Sequence, residues 1–192
     1  MKFRLPAINI YLCCCLAALL AAGCQSPEAG KEKKAAEKKG DKKLEAMVRL
    51  YQQVNPDGSG SNAPVSVYRA KPVEINVSRM PFLDETSLKR AGIVEDGFGT
   101  FAIGLEFDRR GTLILENLTA VNVNSHIAIQ AVFGPKLEQV RWLAAPYLRQ
   151  RITNGVVIFT PDATREEAEQ LVTGLNNVIE RVAKKDLLRE RE

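Results

Sequence analysis

The apolar residues in the second half of the chain follow the repeat of a β-strand. Val73, Ile75 and Val77 alternate with polar residues, which is the period of two expected for a strand with one buried face. The same alternation, or a short apolar run bounded by turn residues, recurs several times further along the chain. Strands are therefore predicted at residues 73–78, 101–107, 127–133, 140–142 and 156–159.

A helical repeat follows the last of these strands. Thr164 and Glu167 form a capping-box pattern, in which each side chain accepts a hydrogen bond from the backbone N–H of the other residue. Apolar residues then recur on one helical face from Ala168 to Val182. The pattern predicts a long amphipathic helix.

Three other segments carry weaker patterns. Residues 44–54 place apolar side chains at helical spacing and predict a short amphipathic helix, ended by a Pro- and Gly-containing turn. Residues 84–91 run from acidic to basic side chains, as the helix dipole favours, and predict a helical turn or two stopped at Gly92. Residues 112–124 are rich in β-branched side chains but also fit one helical face, so strand and helix both remain open there.

These elements predict an α+β fold, with a mixed or antiparallel sheet packed against helices and closed by the long C-terminal amphipathic helix. Residues 26–43 contain no large apolar side chain and cannot offset the entropy of ordering, so they are expected to form a charged flexible tether. The predicted organisation is a signal peptide at 1–23, a lipidated cysteine and tether with the short helix at 24–64, a folded domain at 65–185, and a charged tail at 186–192.

The beginning of the chain has the features of a bacterial export signal. A basic start leads into an apolar stretch, and Ala22 and Gly23 supply the small side chains that a signal peptidase requires before its cut. Cys24 follows directly, so residues 19–24 resemble the bacterial lipobox. The resemblance implies a lipid on Cys24, cleavage before it, and acylation of the new amino terminus. An ordinary signal peptide with an incidental cysteine remains open, and a permanent membrane span is disfavoured because the apolar run is shorter than roughly 20 residues.

The lipoprotein interpretation places the protein in the bacterial cell envelope, held on a membrane through its acyl chains. Each buried methylene of such a chain contributes about 0.8 kcal/mol, so several palmitate-type chains anchor firmly. Gln25 rather than Asp follows Cys24, and the lipoprotein sorting rule then favours the periplasmic face of the outer membrane over the inner membrane.

Cysteine and charge content exclude several function classes. All four cysteines lie at or before the proposed cut, so no thiol remains after lipidation for a disulfide, a thiolate metal site or cysteine catalysis. Residues 25–43 carry seven lysines against three Glu and one Asp, which accounts for most of the net charge of +4. The remaining domain is close to neutral, so nucleic acid is not an expected partner.

A succession of motifs in the second half resembles the periplasmic P1 head subdomain of SecD, the accessory subunit of the bacterial protein-export channel. That family has a glycine-opened helix, an Ala-Ile strand, an Ala-Pro step, a Gly-containing hairpin and a Thr-x-Glu-Glu-Ala helix, in this order. The matching positions are Gly111, Thr119-Ala120-Val121-Asn122, Ile127-Ala128-Ile129, Ala145-Pro146, Ile152-Thr153-Asn154-Gly155 and Thr164-Arg165-Glu166-Glu167-Ala168.

The resemblance implies a helix for residues 112–124 and a fold that handles exported polypeptide without an active site. It does not extend to every feature of the family. SecD carries transmembrane helices that couple export to the proton gradient, and none is predicted here. Its last helix runs into a Gly-Ala-Leu-Pro turn, whereas residues 176–180 here continue the helix. An energised translocation motor is therefore not expected.

No catalytic residue, metal site or cofactor is predicted. His126 is the only histidine, which gives neither a transition-metal site nor a Ser-His-Asp arrangement a sufficient set of side chains. The acidic pairs at 84–85 and 166–167 lie at predicted helix starts, where carboxylates are structurally favourable. We therefore expect a protein that is not an enzyme.

Residues 141–151 carry side chains that are enriched at protein interfaces. Trp142 also falls on the alternating face of its predicted strand, and a core position is the favoured interpretation for it. The candidate partner-contact residues are Arg141, Trp142, Tyr147, Arg149 and Arg151.

The leading functional hypothesis is a lipid-tethered, non-enzymatic domain that binds exported polypeptide or another envelope protein, with a sheet edge available for strand addition. The alternative is a structural or assembly role in the envelope without a part in export. In that case the predicted helix at 44–54 would dock the partner. The sequence predicts neither the partner nor the oligomeric state.

Overall fold

The computed structural model of the chain describes residues 44–58, 60–95, 97 and 99–189. The predicted signal peptide, Cys24 and the tether up to residue 43 lie outside the described residues, as do residues 190–192 of the predicted tail. The strands and helices are β1 (Met47–Gln52), β2 (Asn62–Val67), β3 (Val73–Ser78), β4 (Leu83–Asp84), β5 (Leu88–Glu95), β6 (Phe101–Phe107), α1 (Arg109–Val121), β7 (Ile127–Phe133), β8 (Gln139–Ala144), β9 (Val156–Phe159) and α2 (Arg165–Arg189).

The largest sheet contains β1 as an interior strand, in the order β4-β1-β7-β8 with antiparallel pairing throughout. β1 pairs with β7 over its full length, from Met47 opposite Val132 to Gln52 opposite Ile127. The helix predicted at 44–54 is therefore wrong. The neighbouring residues Leu50 and Tyr51 are both buried, on opposite faces of β1, so its apolar residues do not alternate strictly and also fit a helical repeat.

The β2–β3 hairpin covers one face of this sheet. Together they enclose a small apolar cluster that includes Tyr51 from β1 and Val67 from β2. Residues 62–64 were predicted to lie in the tether, but they form the first half of β2, and the folded unit already includes β1. The predicted domain boundary at residue 65 is therefore too late. The polar composition of residues 59–64 indicated a linker because only one face of this strand is buried.

A second antiparallel sheet, in the order β5-β6-β9, lies across the main core. Its inward residues include Ile103, Leu105 and Val157, which pack with the opposite face of the large sheet and with both helices. The predicted helical turns at 84–91 are reduced to one 3-10 turn at Glu85–Ser87, after which β5 begins at Leu88. Gly92 lies within β5 and is not a helix stop.

Helix α1 resolves the open alternative at 112–124 in favour of the helix that the resemblance implied. The carboxylate of Asp108 caps its first turn and accepts a hydrogen bond from the backbone N–H of Gly111 at 2.6 Å. A side chain at Gly111 would come within 3.0 Å of the carbonyl oxygen of Ser87, so this close crossing requires glycine. The buried hydroxyl of Thr119 accepts the N–H of Ile152 at 2.9 Å and joins α1 to the loop before β9.

Helix α2 confirms the predicted long amphipathic helix, but it runs on to Arg189, so residues 186–189 of the predicted tail are helical. The hydroxyl of Thr164 accepts the N–H of Glu167 at 3.2 Å, and the Glu167 carboxylate accepts the N–H of Thr164 at 2.9 Å. Ala168, Leu171 and Leu175 are buried in the main core. The predicted α+β class is confirmed. Neither described helix is long and apolar enough to cross a membrane.

Candidate functional site

The outward face of the β5-β6-β9 sheet is apolar at its centre, although no other described element covers it. Alternation turns Ile103, Leu105 and Val157 into the core and their neighbours outward. Val94 on β5 is 42% exposed and Ile158 on β9 is 56% exposed. Large apolar side chains are thus left facing solvent on a regular, hydrogen-bonded sheet.

Two glycines form the floor between these side chains. Gly92 on β5 lies directly opposite Gly104 on β6. A Cβ atom placed on Gly104 would lie 3.4 Å from Cγ2 of Val94 and 4.0 Å from Cγ1 of Ile158, and nothing lies within 4 Å of the corresponding position on Gly92. The result is an open concavity of about 380 Å³, which we call the trough, formed by Gly92, Val94, Gly104, Val156 and Ile158.

One end of the trough has a charged rim. The Lys89 ammonium lies 2.5 Å from one Glu106 carboxylate oxygen, and Nε of Arg90 lies 3.5 Å from the other. The hydrogen bond from Lys89 is the main cause that holds the pKa of Glu106 below its ordinary value. Glu106 therefore stays ionised and paired at neutral pH. A carboxylate in this state can orient a ligand, but it does not act as a proton donor.

The trough also reaches a sheet edge. β9 is the outermost strand in the order β5-β6-β9. One of its edges pairs with β6, and its other edge pairs with no described strand of this sheet. An extended chain added along the other edge would place alternate side chains next to Ile158. An apolar concavity beside an available strand edge can hold a polypeptide segment by side-chain burial and by backbone pairing.

The predicted contact residues Arg141 and Trp142 lie on β8, away from the trough. They are consecutive in a strand and point to opposite faces of the sheet. Arg141 lies over the Phe133 ring at 5.0 Å and forms an ion pair with Glu167 at 2.9 Å. Trp142 packs edge-on against Tyr51 at 5.0 Å beside the smaller core cluster, which agrees with the core interpretation.

The other three predicted contact residues follow β8. Tyr147, Arg149 and Arg151 are exposed, and Arg151 is ion-paired with Glu116 on α1. Arg141 is ion-paired with Glu167, Trp142 packs beside the smaller core cluster, and the three residues after β8 are exposed. The five residues therefore do not form one continuous surface. Their role in partner contact stays a prediction.

A network of ion pairs surrounds Arg141 and the first turn of α2. Nε of Arg69 lies 3.1 Å from Asp162, whose carboxylate also accepts the backbone N–H of Arg69 at 2.7 Å. Burial acts to raise the pKa of Asp162, but the hydrogen bonds from Arg69 outweigh it, and the pKa lies below its ordinary value. The pKa of Glu167 is lowered in the same way, with burial opposed by the hydrogen bond from Arg141. Both carboxylates are held ionised in structural pairs.

His126 has neutral partners. Its Nδ1 lies 2.8 Å from the side-chain oxygen of Gln53, and its ring meets Tyr147 edge-on at 5.1 Å. Within the described part of the chain, no three His, Cys, Asp or Glu side chains come together as a metal-binding group.

Sequence reasoning missed the trough. The available signal was a glycine in the middle of a strand, because such a glycine often marks the close approach of another group. Gly104 interrupts the outward side of β6, and the run 156–159 has apolar residues on both faces. The cross-strand pairing of Gly92 with Gly104 could not be predicted while residues 84–91 were expected to be helical.

Comparison with known proteins gives one family. The SecDF P1 head subdomain matches residues 63–177, which is more than half of the chain. No curated protein sequence matches.

Three solved structures similar to this chain are of SecDF proteins. One, a membrane component SecDF that enhances protein export, is 19% identical, with 82% of this chain and 71% of that chain covered and a TM-score of 0.48. A SecDF in a super-membrane-facing form is 19% identical, with 77% of this chain and 20% of that one covered and a TM-score of 0.48. A translocon-associated SecDF from Thermus thermophilus is 15% identical, with 71% and 29% covered and a TM-score of 0.38. This chain thus spans less than a third of the two longer proteins.

Proposed function

Because this chain belongs to the family of SecDF P1 head subdomains, we propose that it is a non-enzymatic binding module of the cell envelope that holds exported polypeptide in the trough. Family membership links the domain to protein export. The observation that carries the finer proposal is the apolar floor and walls at Gly92, Gly104, Val94 and Ile158, which face solvent side by side on one regular sheet. Exposed apolar concavities of this kind mark binding surfaces.

The ligand follows from the shape and chemistry of the trough. A polypeptide that has not yet folded is extended and exposes apolar side chains. An apolar side chain of one segment would cover the glycine pair between Val94 and Ile158, and a neighbouring segment of the same polypeptide would pair its backbone with the edge of β9. Backbone pairing does not depend on sequence, so the trough would accept many different exported chains.

Membrane attachment through Cys24 is part of the same proposal. The lipobox-like residues 19–24 and the lysine-rich residues 25–43 support a lipid anchor followed by a tether. The residue after the cysteine favours the outer membrane. A domain held on the membrane in this way would meet exported chains within the envelope, with no transmembrane helix of its own in the described residues.

The hypothesis of a structural or assembly role no longer has a helix that could dock the partner. It depended on a free amphipathic helix at 44–54, and this segment forms β1 inside the largest sheet. No observation favours that second function.

The test replaces one trough residue by a charged one. Ile158→Asp should weaken binding of a polypeptide by about tenfold or more, since burial of an isoleucine side chain contributes about 1.5–3 kcal/mol. The measurement is fluorescence anisotropy, with the full chain in detergent and a labelled polypeptide kept unfolded by reduction and alkylation of its cysteines.

Val140→Asp is the matched control, because Val140 is also an exposed strand residue, at 58%, and lies on β8 outside the trough. It should leave the affinity unchanged, and thermal unfolding should show that both variants are folded. Equal affinities for the two folded variants would rule out the trough as the binding site.

A further inference from the structure

A second concavity lies where the end of β1 meets the end of α1. It has a volume of about 420 Å³, within the range of small-molecule sites. Its lining residues, numbered 52–55 and 121–125, include no charged side chain. We call it the carboxamide cleft, after the five side-chain amides that line it: Gln52, Gln53, Asn55, Asn122 and Asn124.

Internal hydrogen bonds fix the orientation of three of these amides. The side-chain oxygen of Gln53 accepts the backbone N–H of His126 at 2.8 Å, and it lies 2.8 Å from Nδ1 of the same residue. Nδ2 of Asn122 donates to the carbonyl of Leu118 at 2.8 Å, so its Oδ1 is the acceptor for Nε2 of Gln52 at 2.7 Å. Asn122 is therefore held through both of its polar atoms, and Gln52 and Gln53 are each held through one.

This arrangement leaves defined donors and acceptors for a ligand. Gln53 uses its oxygen and keeps its NH₂ group, while Gln52 uses its nitrogen and keeps its oxygen as an acceptor. Because both side chains are already held, a ligand that binds them has little rotamer entropy to remove.

The rim of the carboxamide cleft adds an exposed aromatic ring. Tyr147 is 49% exposed, its hydroxyl lies 3.3 Å from Oδ1 of Asn124, and its ring is braced by His126. Val121, at the end of α1, is 81% exposed and lines the same cleft. A ring and an exposed apolar group thus lie next to a set of fixed neutral amides.

We propose that the carboxamide cleft binds an uncharged oligosaccharide, with acetamido sugars as the best fit. Sugar hydroxyls and acetamido groups both donate and accept hydrogen bonds, as the amides of Gln52 and Gln53 do. The C–H face of a pyranose ring is apolar and matches the ring of Tyr147.

Other ligand classes fit less well. The absence of a lining cation disfavours phosphate and lipid headgroups. An extended peptide would need a free strand edge, but β1 is paired with β7 on one side, and with β4 and through the Gln53–Val77 bridge on the other.

The experiment titrates the full chain in detergent with fully N-acetylated chitotetraose and follows amide chemical shifts and binding heat. Tyr147→Ala should weaken binding by about tenfold, as truncation of an aromatic anchor does, whereas Tyr147→Phe should retain most of the affinity. Neither Tyr147 nor Arg149 is part of the cleft lining, but the Tyr147 hydroxyl contacts the lining residue Asn124. Arg149→Ala is therefore the matched control, at an exposed residue two positions further on. The affinity should not change between about 0.05 and 0.5 M salt, because no ion pair is involved.

The proposal fails if the folded chain does not bind the tetrasaccharide at millimolar concentration, or if Tyr147→Ala binds as tightly as the parent. It also fails if an uncharged extended peptide displaces the sugar from the cleft with higher affinity. The result is independent of the proposed polypeptide site, since Ile158→Asp should leave sugar binding unchanged.

Discussion

At the scale of single residues, Asn176 joins helix α2 to the second sheet. Its side-chain nitrogen donates to the carbonyl of Ala91 at 3.0 Å, and its oxygen accepts the N–H of Ala91 at 3.1 Å. The pairing of β5 with β6 shifts register just before this point, between Leu88 and Arg90. The amide of Asn176 therefore satisfies both backbone groups of a residue at the outer edge of the sheet.

Replacing Asn176 should destabilise the fold without touching either proposed site. Asn176→Ala leaves one donor and one acceptor of a buried residue without their partner, at a cost of about 1–3 kcal/mol in the free energy of unfolding. Urea unfolding of the full chain measures this loss, and hydrogen exchange at the Ala91 amide should become faster.

Asn117→Ala serves as the control for Asn176→Ala. Asn117 is an exposed asparagine in the middle of α1, where alanine improves helix propensity by a few tenths of a kcal/mol. Equal destabilisation by the two substitutions would show that the contact between Asn176 and Ala91 contributes nothing specific.

The contact that a residue makes could be predicted where the other residue of the contact is close in the sequence. Thr164 and Glu167 are three positions apart, so their capping box could be recognised and is confirmed. Asn176 and Ala91 are far apart, and so are the two glycines of the trough. No local pattern indicates which distant residue completes such a contact, so these contacts could not be predicted.

At the scale of secondary-structure elements, strand prediction succeeded where one face of the strand is buried. β6 alternates Ile103, Leu105 and Phe107 inward and was predicted correctly. β1 was missed because it lies between two layers: Leu50 faces the main core and Tyr51 faces the smaller one. Sequence periodicity cannot identify a short strand whose neighbouring residues are both buried.

The position of β1 predicts that the matched family range does not fold without it. A chain of residues 62–189 would lack Val48 and Leu50 from the main core, and β7 would lose β1, one of its two partner strands. Each lost core residue costs about 1–5 kcal/mol, against a total stability of about 5–15 kcal/mol. We expect poor amide dispersion in its NMR spectrum and no cooperative unfolding transition.

A chain of residues 44–189 is the control for this truncation, since it keeps β1, and it should give a dispersed spectrum. Addition of a synthetic peptide of residues 44–54 to the shorter chain should restore part of that dispersion. A shorter chain that unfolds cooperatively with the stability of the longer one would show that β1 is dispensable.

At the scale of the whole molecule, the first described residues are fastened to α2. The carbonyl of Leu44 accepts Nδ2 of Asn177 at 2.9 Å, and Glu45 pairs with Arg181 at 2.7 Å. A Cβ atom on Gly174 would lie only 2.8 Å from Cβ of Ala46, so the chain and the helix are in close contact. A force applied through residues before 44 would therefore reach the helix that closes the core.

The segment before residue 44 contains the proposed anchor at Cys24. When the chain is expressed with its signal in a Gram-negative host, Cys24→Ser should abolish incorporation of an alkyne-labelled palmitate analogue and shift the protein out of the membrane fraction, because the thioether requires the thiol. The matched control replaces Cys13, Cys14 and Cys15 together by serine; labelling at Cys24 should persist, since these three residues precede the proposed cut. Labelling that survives Cys24→Ser, or that disappears only in the triple variant, would place the lipid elsewhere and remove the basis for a tethered binding module.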